Sequence, residues 1–290
     1  MKNFNNKNFI ELLNYTKNFF FQKLGNKKSK KLELKYRKYY KSKIKKNFLK
    51  LKIDKKNILV FPFNKMGLQT TVNLFGYYEH LIFLLYYLKK DFYKKKVADI
   101  GSNLGLHSLI LSKFGYKVDS YEPDPKHFKH QKKILKKNKC KNVNFINKAV
   151  YNDNGAKNLF RVIDNPYANY LEGEKKGYGK LKKIKIKTLN IKKIIKKYDL
   201  VKIDAEGSES KIISNLARSD FLNTDFIVEI SGKQNAQIIL AKCKKCKTNI
   251  FSHKNKWKKV NKLKDMPKHH SEGLVIISKD KNYMRFLSKR

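Results

Sequence analysis

Apolar positions along this chain switch between two spacings, and the switching predicts its architecture. From residue 96 onward, short apolar runs alternate with segments whose apolar residues recur every three or four positions. KVADIG (96–101) reads as a strand and SNLGLHSLILSKFG (102–115) as a helix closing on Gly115. VDSYEP (118–123) is a second strand, and DPKHFKHQKKILKKN (124–138) a helix with Asp124 as N-cap and Pro125 at its first position. NVNFINKAV (142–150) reads as a third strand. After an interruption the rhythm resumes with helix NIKKIIKKY (190–198), strand LVKIDAEG (200–207), helix SESKIISNL (208–216) and strand DFIVEI (225–230). TNIFSHK (248–254) and GLVIIS (273–278) are expected to pair antiparallel across KWKKV (256–260). Strands separated by helices of this length imply parallel βαβ units, so the expected fold is α/β with a doubly wound, mostly parallel sheet and an antiparallel C-terminal strand.

Two regions depart from that rhythm. Residues 1–56 combine an amphipathic stretch, FIELLNYTKNFFFQKL (9–24), with a strongly basic run, and form a basic, helical N-terminal extension ahead of a main domain spanning 57–290. Leu32, Tyr36, Tyr39, Tyr40, Ile44 and Phe48 keep helical spacing through the basic run. They predict a Lys-coated helix leaning on the main domain by an aromatic stripe. Residues 151–189 contain two strand-like runs, NLFRVID (158–164) and KLKKIKIKTL (180–189), around a Gly- and Tyr-rich loop, NPYANYLEGEKKGYGK (165–180). An insertion of this kind is expected above the sheet, on the substrate side of a cleft. HLIFLLYYL (80–88) is about half the length of a membrane helix and reads as a buried helix. No transmembrane segment or signal peptide is expected.

Charge changes the picture less than its size suggests. The chain carries 69 Lys and Arg against 23 Asp and Glu, a net charge of +46, which points toward nucleic acid or an anionic membrane. Only positions 37, 161, 218, 285 and 290 are Arg, however, and Arg is the residue suited to bidentate phosphate and base recognition. A solvated Lys surface set by an A+T-rich coding sequence is therefore the favoured reading. Peripheral contact with an anionic membrane through the N-terminal basic segment is the functional alternative. Three cysteines, Cys140, Cys243 and Cys246, are too few for a disulfide framework and indicate a reducing, cytoplasmic setting. Cys243 and Cys246 have half of a zinc-ribbon spacing, but residues 233–245 read as a helix carrying half-buried thiols, and no metal site is assigned.

Candidate chemistry begins at the first strand's end. Gly101 and Gly105 bracket a turn, with Asp99 two residues earlier and free N–H groups at the following helix start. Asn103 stands where a dinucleotide fingerprint needs its second glycine, which disfavours a pyrophosphate. Glu122 ends the second strand, where the adjacent strand of such a fold delivers a carboxylate to a ribose. A small ligand with a carboxylate, an amine and a ribose fits this set, and S-adenosyl-L-methionine is such a ligand. The second constellation is LVKIDAEGSE (200–209), in which Lys202, Asp204 and Glu206 share one strand face. Buried parallel strands normally run apolar, so three charges at one end ask for a reason. A structural Lys–Asp ion pair is one; a cleft where Asp204 and Glu206 orient or deprotonate an acceptor hydroxyl is the other.

VADIGSNLGLHSL, YEPDP, NKAVYNDNG, VKIDAEGSE and FIVEI, in this order and preceded by FGYYE (75–79), together resemble the FkbM family of S-adenosylmethionine-dependent methyltransferases over residues 74 to 231. The resemblance implies a class I, Rossmann-like methyltransferase fold and O-methylation of a sugar, polyketide or other small hydroxylated metabolite. By position it implies that Asp99, Gly101, Ser102, Asn103 and Gly105 surround the methionine end and Glu122 the ribose. It also places Asn147 and Ala149 near the adenine, Asp204 and Glu206 in the acceptor cleft, and Glu79 and Glu229 as flanking acids. Ser102 replaces a frequent alanine, and Asn190 stands where an aspartate is common.

The expected function is thus methyl transfer from S-adenosyl-L-methionine to a small-molecule or glycan acceptor. An RNA or DNA methyltransferase using the Lys-rich surface is the alternative, against which stands the lack of an N/D-P-P-[YFW] motif at the LVKID strand end. A non-catalytic basic binding module is a third, disfavoured by intact Asp99, Gly101, Gly105 and Glu122. His80 and His107 are read as buried, satisfied histidines and Trp257 as a packing residue on a strand face.

Overall fold

The computed structural model describes residues 4–22, 26–55, 57–66, 69–93, 96–163, 165, 168–175, 179–269 and 272–285. Its N-terminal part holds helices α1 (Phe9–Lys17) and α2 (Lys27–Ser42). Asn8 caps α1 in a reciprocal box with Glu11, and the Asn26 side chain accepts from Ser29 N–H to start α2. Leu32, Tyr36, Tyr39 and Tyr40 form the buried stripe of α2, while lysines 27, 28, 30, 31, 38 and 41 are exposed.

The expected continuation of this helix through Ile44 and Phe48 does not occur. Lys46 and Asn47 take left-handed φ values of 46° and 60°, turning the chain into a hairpin. Strands β1 (Ile44–Lys45), β2 (Phe48–Lys52) and β3 (Ile58–Pro62) form an antiparallel sheet in that order. The helical extension therefore ends in strands, and β2 and β3 pair across position 56. Asn138 clasps β3: its side chain accepts from Val60 N–H and donates to Val60 C=O, both at 2.7 Å. A short ribbon of β4 (Lys65–Met66) and β5 (Gln69–Thr70) leads to helix α3 (Tyr77–Lys89), the buried helix expected from its apolar run.

The main sheet is built from β6 (Lys96–Ile100), helix α4 (Leu106–Lys113), β7 (Lys117–Tyr121), helix α5 (Pro125–Lys137) and β8 (Val143–Ile146). NVNFINKAV is two strands, because the chain leaves the main sheet at Asn147 and enters β9 (Ala149–Tyr151) of a second sheet. That second sheet is completed by β10 (Gly155–Val162), β11 (Tyr170–Leu171) and β12 (Leu181–Asn190), in the order β11-β10-β12-β9. Pro166, Tyr167 and residues 176–178 of the expected loop lie outside the described residues.

Residues 190–198 form two 3-10 turns rather than a helix. Ile194, at φ −120°, separates them, and Tyr198 already starts β13 (Tyr198–Ile203). Helix α6 (Glu209–Ser214) follows, then α7 (Arg218–Asn223), which the apolar spacing did not predict. The chain closes with β14 (Asp225–Glu229), helix α8 (Lys233–Lys245), β15 (Asn249–Ser252), β16 (Lys258–Lys259) and β17 (Leu274–Ser278).

The eight-stranded sheet runs β16-β15-β17-β14-β13-β6-β7-β8, with β14, β13, β6, β7 and β8 parallel and β17 antiparallel to both neighbours. One apolar cluster packs α1–α4 and the N-terminal sheet on one face, and a second packs α6, α7 and α8 on the other. Strand order reverses between β6 and β13, so their carboxyl ends open the crevice where such sheets bind ligands.

Candidate functional site

The crevice is shaped first by the turn after β6. Gly101 N–H and Ser102 N–H both donate to Tyr121 C=O, at 3.1 and 3.0 Å, which draws the turn over the end of β7. Gly101, at φ 75°, faces the next loop so closely that a Cβ there would lie 1.8 Å from the Asp204 carbonyl oxygen. The Ser102 hydroxyl is committed to Tyr121 C=O and Gln131 Oε1. Asn103 N–H donates to Glu122 Oε2 at 2.8 Å, while the Asn103 Oδ1 is buried without a hydrogen-bond partner.

Glu122 is held between two backbone donors, Asn103 N–H and Asp124 N–H, the latter at 2.8 Å to Oε1. Burial pushes its carboxyl up to about 8, against the lowering effect of those two donors. Asp124, fully buried, caps α5 through Lys126 N–H and also receives the Arg161 guanidinium on both oxygens and Asn169 Nδ2 at 2.9 Å. Burial would raise the Asp124 carboxyl, but the Arg161 hydrogen bonds and the other donors hold it below the usual range.

On β13, Lys202 lies in register with Asp99 of β6. Its Nζ is 3.6 Å from Asp99 Oδ1 and 3.2 Å from Asp204 Oδ2. Burial would lower this ammonium; Asp204, Asp99, Glu229 and Glu79 outweigh it and raise it. Asp99 is buried behind Lys202 and accepts from the Ser108 hydroxyl at 2.7 Å. The strand ends at Ile203, so Glu206 is aimed by a left-handed turn (φ 49°) and not by strand alternation. Its carboxylate accepts from Lys175 Nζ. Burial and the neighbouring Asp204 raise the Glu206 carboxyl, and Lys175 opposes them. Glu209 braces this loop from beneath, accepting from Ala205 N–H, Gly207 N–H, Ser231 Oγ and Asn235 Nδ2. Burial lifts its carboxyl to about 7.

Two adjoining cavities result. The narrower is lined by Ile100, Gly101, Asn103, Glu122, Ala149 and Leu159, among others, and closed by Asn169, Tyr170 and Leu171 of the insertion. The wider, about 440 Å³, is lined by Glu79, Glu229, Lys175, Lys202, His107 and His269, with apolar walls from Phe61, Leu74, Leu104 and Leu106. Gly101, Asn103, Asp204 and Glu206 border both. Among the described residues no group of three or more His, Cys, Asp or Glu side chains is placed to hold a metal ion, and Cys243 and Cys246 are free and buried.

Residues 99–253, more than half of the chain, match the model of the methyltransferase FkbM domain. The chain belongs to the FkbM methyltransferase family. No curated protein sequence matches the chain significantly. Solved structures similar to it include the precorrin-6y C5,15-methyltransferase of Geobacter metallireducens, at 14% identity, TM-score 0.37, covering 66% of this chain and 82% of that one. A tRNA (uracil-54, C5)-methyltransferase of Pyrococcus abyssi, in complex with S-adenosyl-L-homocysteine, shares 10% identity, with TM-score 0.39 and coverage of 81% and 44%. A SAM-dependent methyltransferase of Agrobacterium tumefaciens shares 8%, with TM-score 0.39 and coverage of 69% and 59%. The fold is that of the class I methyltransferases.

Within this FkbM domain, the residues singled out by sequence separate into two groups. Gly101, Ser102, Asn103, Glu122, Ala149, Asp204, Glu206, Glu79 and Glu229 border the cavities. Asp99, Gly105 and Asn147 do not line them. Gly105, at φ 80°, packs so closely on α5 that a Cβ there would lie 2.7 Å from Leu135 Cδ1, and exposed Asn147 donates to the Glu122 and Pro123 carbonyls. His107 is half-buried with Tyr86 OH and Glu79 as neighbours, each at 3.1 Å. His80 is fully buried and paired with Tyr40 and Gly76. Trp257 stands in the turn before β16 rather than on a strand face, stacked between Phe20 and His253. Arg161, Asn169, Lys175 and Glu209 went unnoticed in the sequence. Only Glu209 left a signal there, as the last acid of the charged loop. Among the described residues no helix is long and apolar enough to cross a membrane.

Proposed function

We propose that this FkbM domain transfers a methyl group from S-adenosyl-L-methionine to a hydroxyl on a small metabolite, sugar or glycan. The observation that carries this reading is the pair of adjoining cavities that share Gly101, Asn103, Asp204 and Glu206. One suits a nucleoside and the other a compact polar molecule, since a cavity of about 440 Å³ is within the range of small-ligand pockets.

The residues of the narrower cavity fit the cofactor. Glu122 presents a buried carboxyl group for ribose hydroxyls, Ala149, Val150 and Leu159 offer apolar walls for a purine, and the unpartnered Asn103 Oδ1 is an acceptor awaiting a donor. The bound cofactor supplies an electrophilic methyl group on a sulfonium. Everything else falls to the chain. Phe61, Leu74, Leu104 and Leu106 wall the acceptor side, against which a hydroxyl is positioned for transfer. Asp204 and Glu206, at the junction of the cavities, hydrogen-bond the acceptor and hold it against the cofactor side, and the carboxylates around them take up the hydroxyl proton. Free thiols at Cys140, Cys243 and Cys246 suit a reducing compartment such as the cytoplasm.

The test is calorimetric binding of S-adenosylhomocysteine followed by incubation with methyl-labelled cofactor and fractionated cell extract. Label is expected in a small-molecule or glycan fraction and is expected to be released as methyl iodide by hot hydriodic acid, as an O-methyl ether requires. Label in a nuclease-sensitive fraction would overturn the acceptor class, and absence of cofactor binding would overturn the reading as a whole.

A further inference from the structure

Four carboxylates line the wider cavity, and three of them have a side-chain nitrogen within 3.2 Å. Glu79 Oε2 is 3.1 Å from His107 Nε2, Asp204 Oδ2 is 3.2 Å from Lys202 Nζ, and Glu206 accepts from Lys175 Nζ. The Glu229 side chain makes no hydrogen bond or ion pair with any described residue, although it borders the same cavity. It ends β14, one strand over from β13, whose last residue Ile203 pairs with Val228. A proton acceptor must have a lone pair free to reach its substrate, and a carboxylate already holding an ammonium is a weaker base than one that holds nothing.

Building on the methyltransferase reading above, we infer that Glu229 is the catalytic base, while Asp204 and Glu206 act as the orienting pair. In the step this assigns, the acceptor's O–H bond gives its proton to a Glu229 carboxylate oxygen while the acceptor oxygen forms the O–CH3 bond. The S–CH3 bonding pair returns to sulfur. One sulfonium and one carboxylate become one neutral thioether and one carboxylic acid, so charge and atoms balance. The surroundings favour proton uptake at this position. Burial first, then the carboxylates of Asp204, Glu79 and Glu206, push the Glu229 carboxyl well above the ordinary range, with Lys202 opposing them. Tyr78 and Glu79 of α3 lie close enough to interact with it electrostatically, and Lys175, Lys202, His107 and His269 complete the polar lining of the cavity.

The experiment compares wild type, Glu229→Gln, Glu229→Asp and Glu206→Gln. Each is titrated with S-adenosylhomocysteine and assayed for transfer of label from methyl-labelled S-adenosylmethionine to the extract fraction that accepts it. Glu229→Gln is expected to bind S-adenosylhomocysteine within about twofold of wild type but to lose label transfer by at least about 100-fold, the scale of general-base catalysis. The wild-type rate is expected to rise with pH as this carboxyl ionises, a limb missing from the Gln variant and retained by Glu229→Asp. Transfer by Glu229→Gln within threefold of wild type would overturn the assignment, as would a parallel loss of S-adenosylhomocysteine binding, which would make Glu229 a cofactor residue. If wild type itself binds no S-adenosylhomocysteine, the methyltransferase reading fails and takes this assignment with it.

Discussion

The Cα of Gly101 and the carbonyl oxygen of Asp204 face each other with no room for a side chain between them: a Cβ on Gly101 would sit 1.8 Å from that oxygen. The same two residues border both cavities, so the turn after β6 and the loop after β13 are packed backbone to backbone. Gly101→Ala must move one of them. It also adds the left-handed φ penalty of about 1 kcal/mol at φ 75°. The expected outcome is loss of S-adenosylhomocysteine binding by more than about 100-fold, or several kcal/mol of stability where the loops refuse to part. Gly115→Ala is the control, because φ is 93° there but nothing lies within 4 Å of the added carbon. It is expected to cost only about 1 kcal/mol and to leave binding intact. Equal effects of the two substitutions in calorimetry and thermal melts would refute the close-approach explanation.

Arg161 ties the inserted sheet to the start of α5 through buried Asp124, and Asp124 N–H in turn holds Glu122. Neighbouring insertion residues Leu159, Asn169, Tyr170 and Leu171 wall the narrower cavity. Arg161→Ala therefore leaves a buried carboxylate without its cation, a loss of about 3 to 5 kcal/mol in comparable buried pairs, and frees that wall. S-adenosylhomocysteine affinity is expected to fall about tenfold along with the melting temperature, and Arg161→Lys to recover part of both. Unchanged affinity in the folded Ala variant would show that the wall stands without this tie.

The parts of this site that were legible in the sequence are those written in local pattern. The Gly101–Gly105 turn, Glu122 at a strand end and the charged end of LVKID each follow from residues only a few positions apart. What stayed hidden depends on long-range contact. Arg161 meets Asp124 across 37 residues and Lys175 meets Glu206 across 31, and no periodicity names such partners. The helix overrun through Ile44 and Phe48 has a different cause. Apolar spacing persisted while two residues, Lys46 and Asn47, adopted left-handed φ and turned a helical stripe into strand pairs. Glu209 resembled an ordinary acid at a helix start; only its burial and its four donors show it to be the loop's anchor.

Glu122 should leave a signature in the pH dependence of stability. Its carboxyl is raised to about 8 in the folded chain, chiefly by burial, against an ordinary 4.5. As pH rises from 4.5 toward 8 the unfolded chain releases this proton while the folded chain keeps it. Stability at this site is thus greatest below 4.5 and declines by about 1.4 kcal/mol per pH unit until the folded group also ionises near 8. Glu122→Gln cannot titrate, so its denaturant stability between pH 6.5 and 8 is expected to fall less steeply than that of wild type, while its S-adenosylhomocysteine affinity drops. Parallel slopes for the two proteins would show that Glu122 is ionised in the folded chain at neutral pH.

Helices α2 and α3 are joined by a contact with the opposite pH sense. His80 of α3 donates from Nδ1 to Gly76 C=O at 2.9 Å and accepts at Nε2 from the Tyr40 hydroxyl of α2, at 2.5 Å. Its ring lies 4.2 Å from that of Tyr36 and 5.7 Å from Phe9. Burial lowers its pKa to about 4, opposed by the Gly76 carbonyl, so the folded chain holds it neutral where the unfolded chain takes a proton. Stability at this position is present above 6.5, the ordinary histidine value, and is lost as pH falls toward 4, by about 1.4 kcal/mol per unit. His80→Phe keeps the aromatic packing and removes the titration, so its stability is expected to decline less between pH 6.5 and 4. Tyr40→Phe keeps the histidine but strips its buried partner, and is expected to cost about 1 to 3 kcal/mol at pH 7. Because the ring bridges α2 and α3, amide hydrogen exchange in Lys27–Ser42 should rise in Tyr40→Phe before exchange in β6 and β13 does. Uniform acceleration across all these elements would mean that the extension and the sheet unfold as one unit.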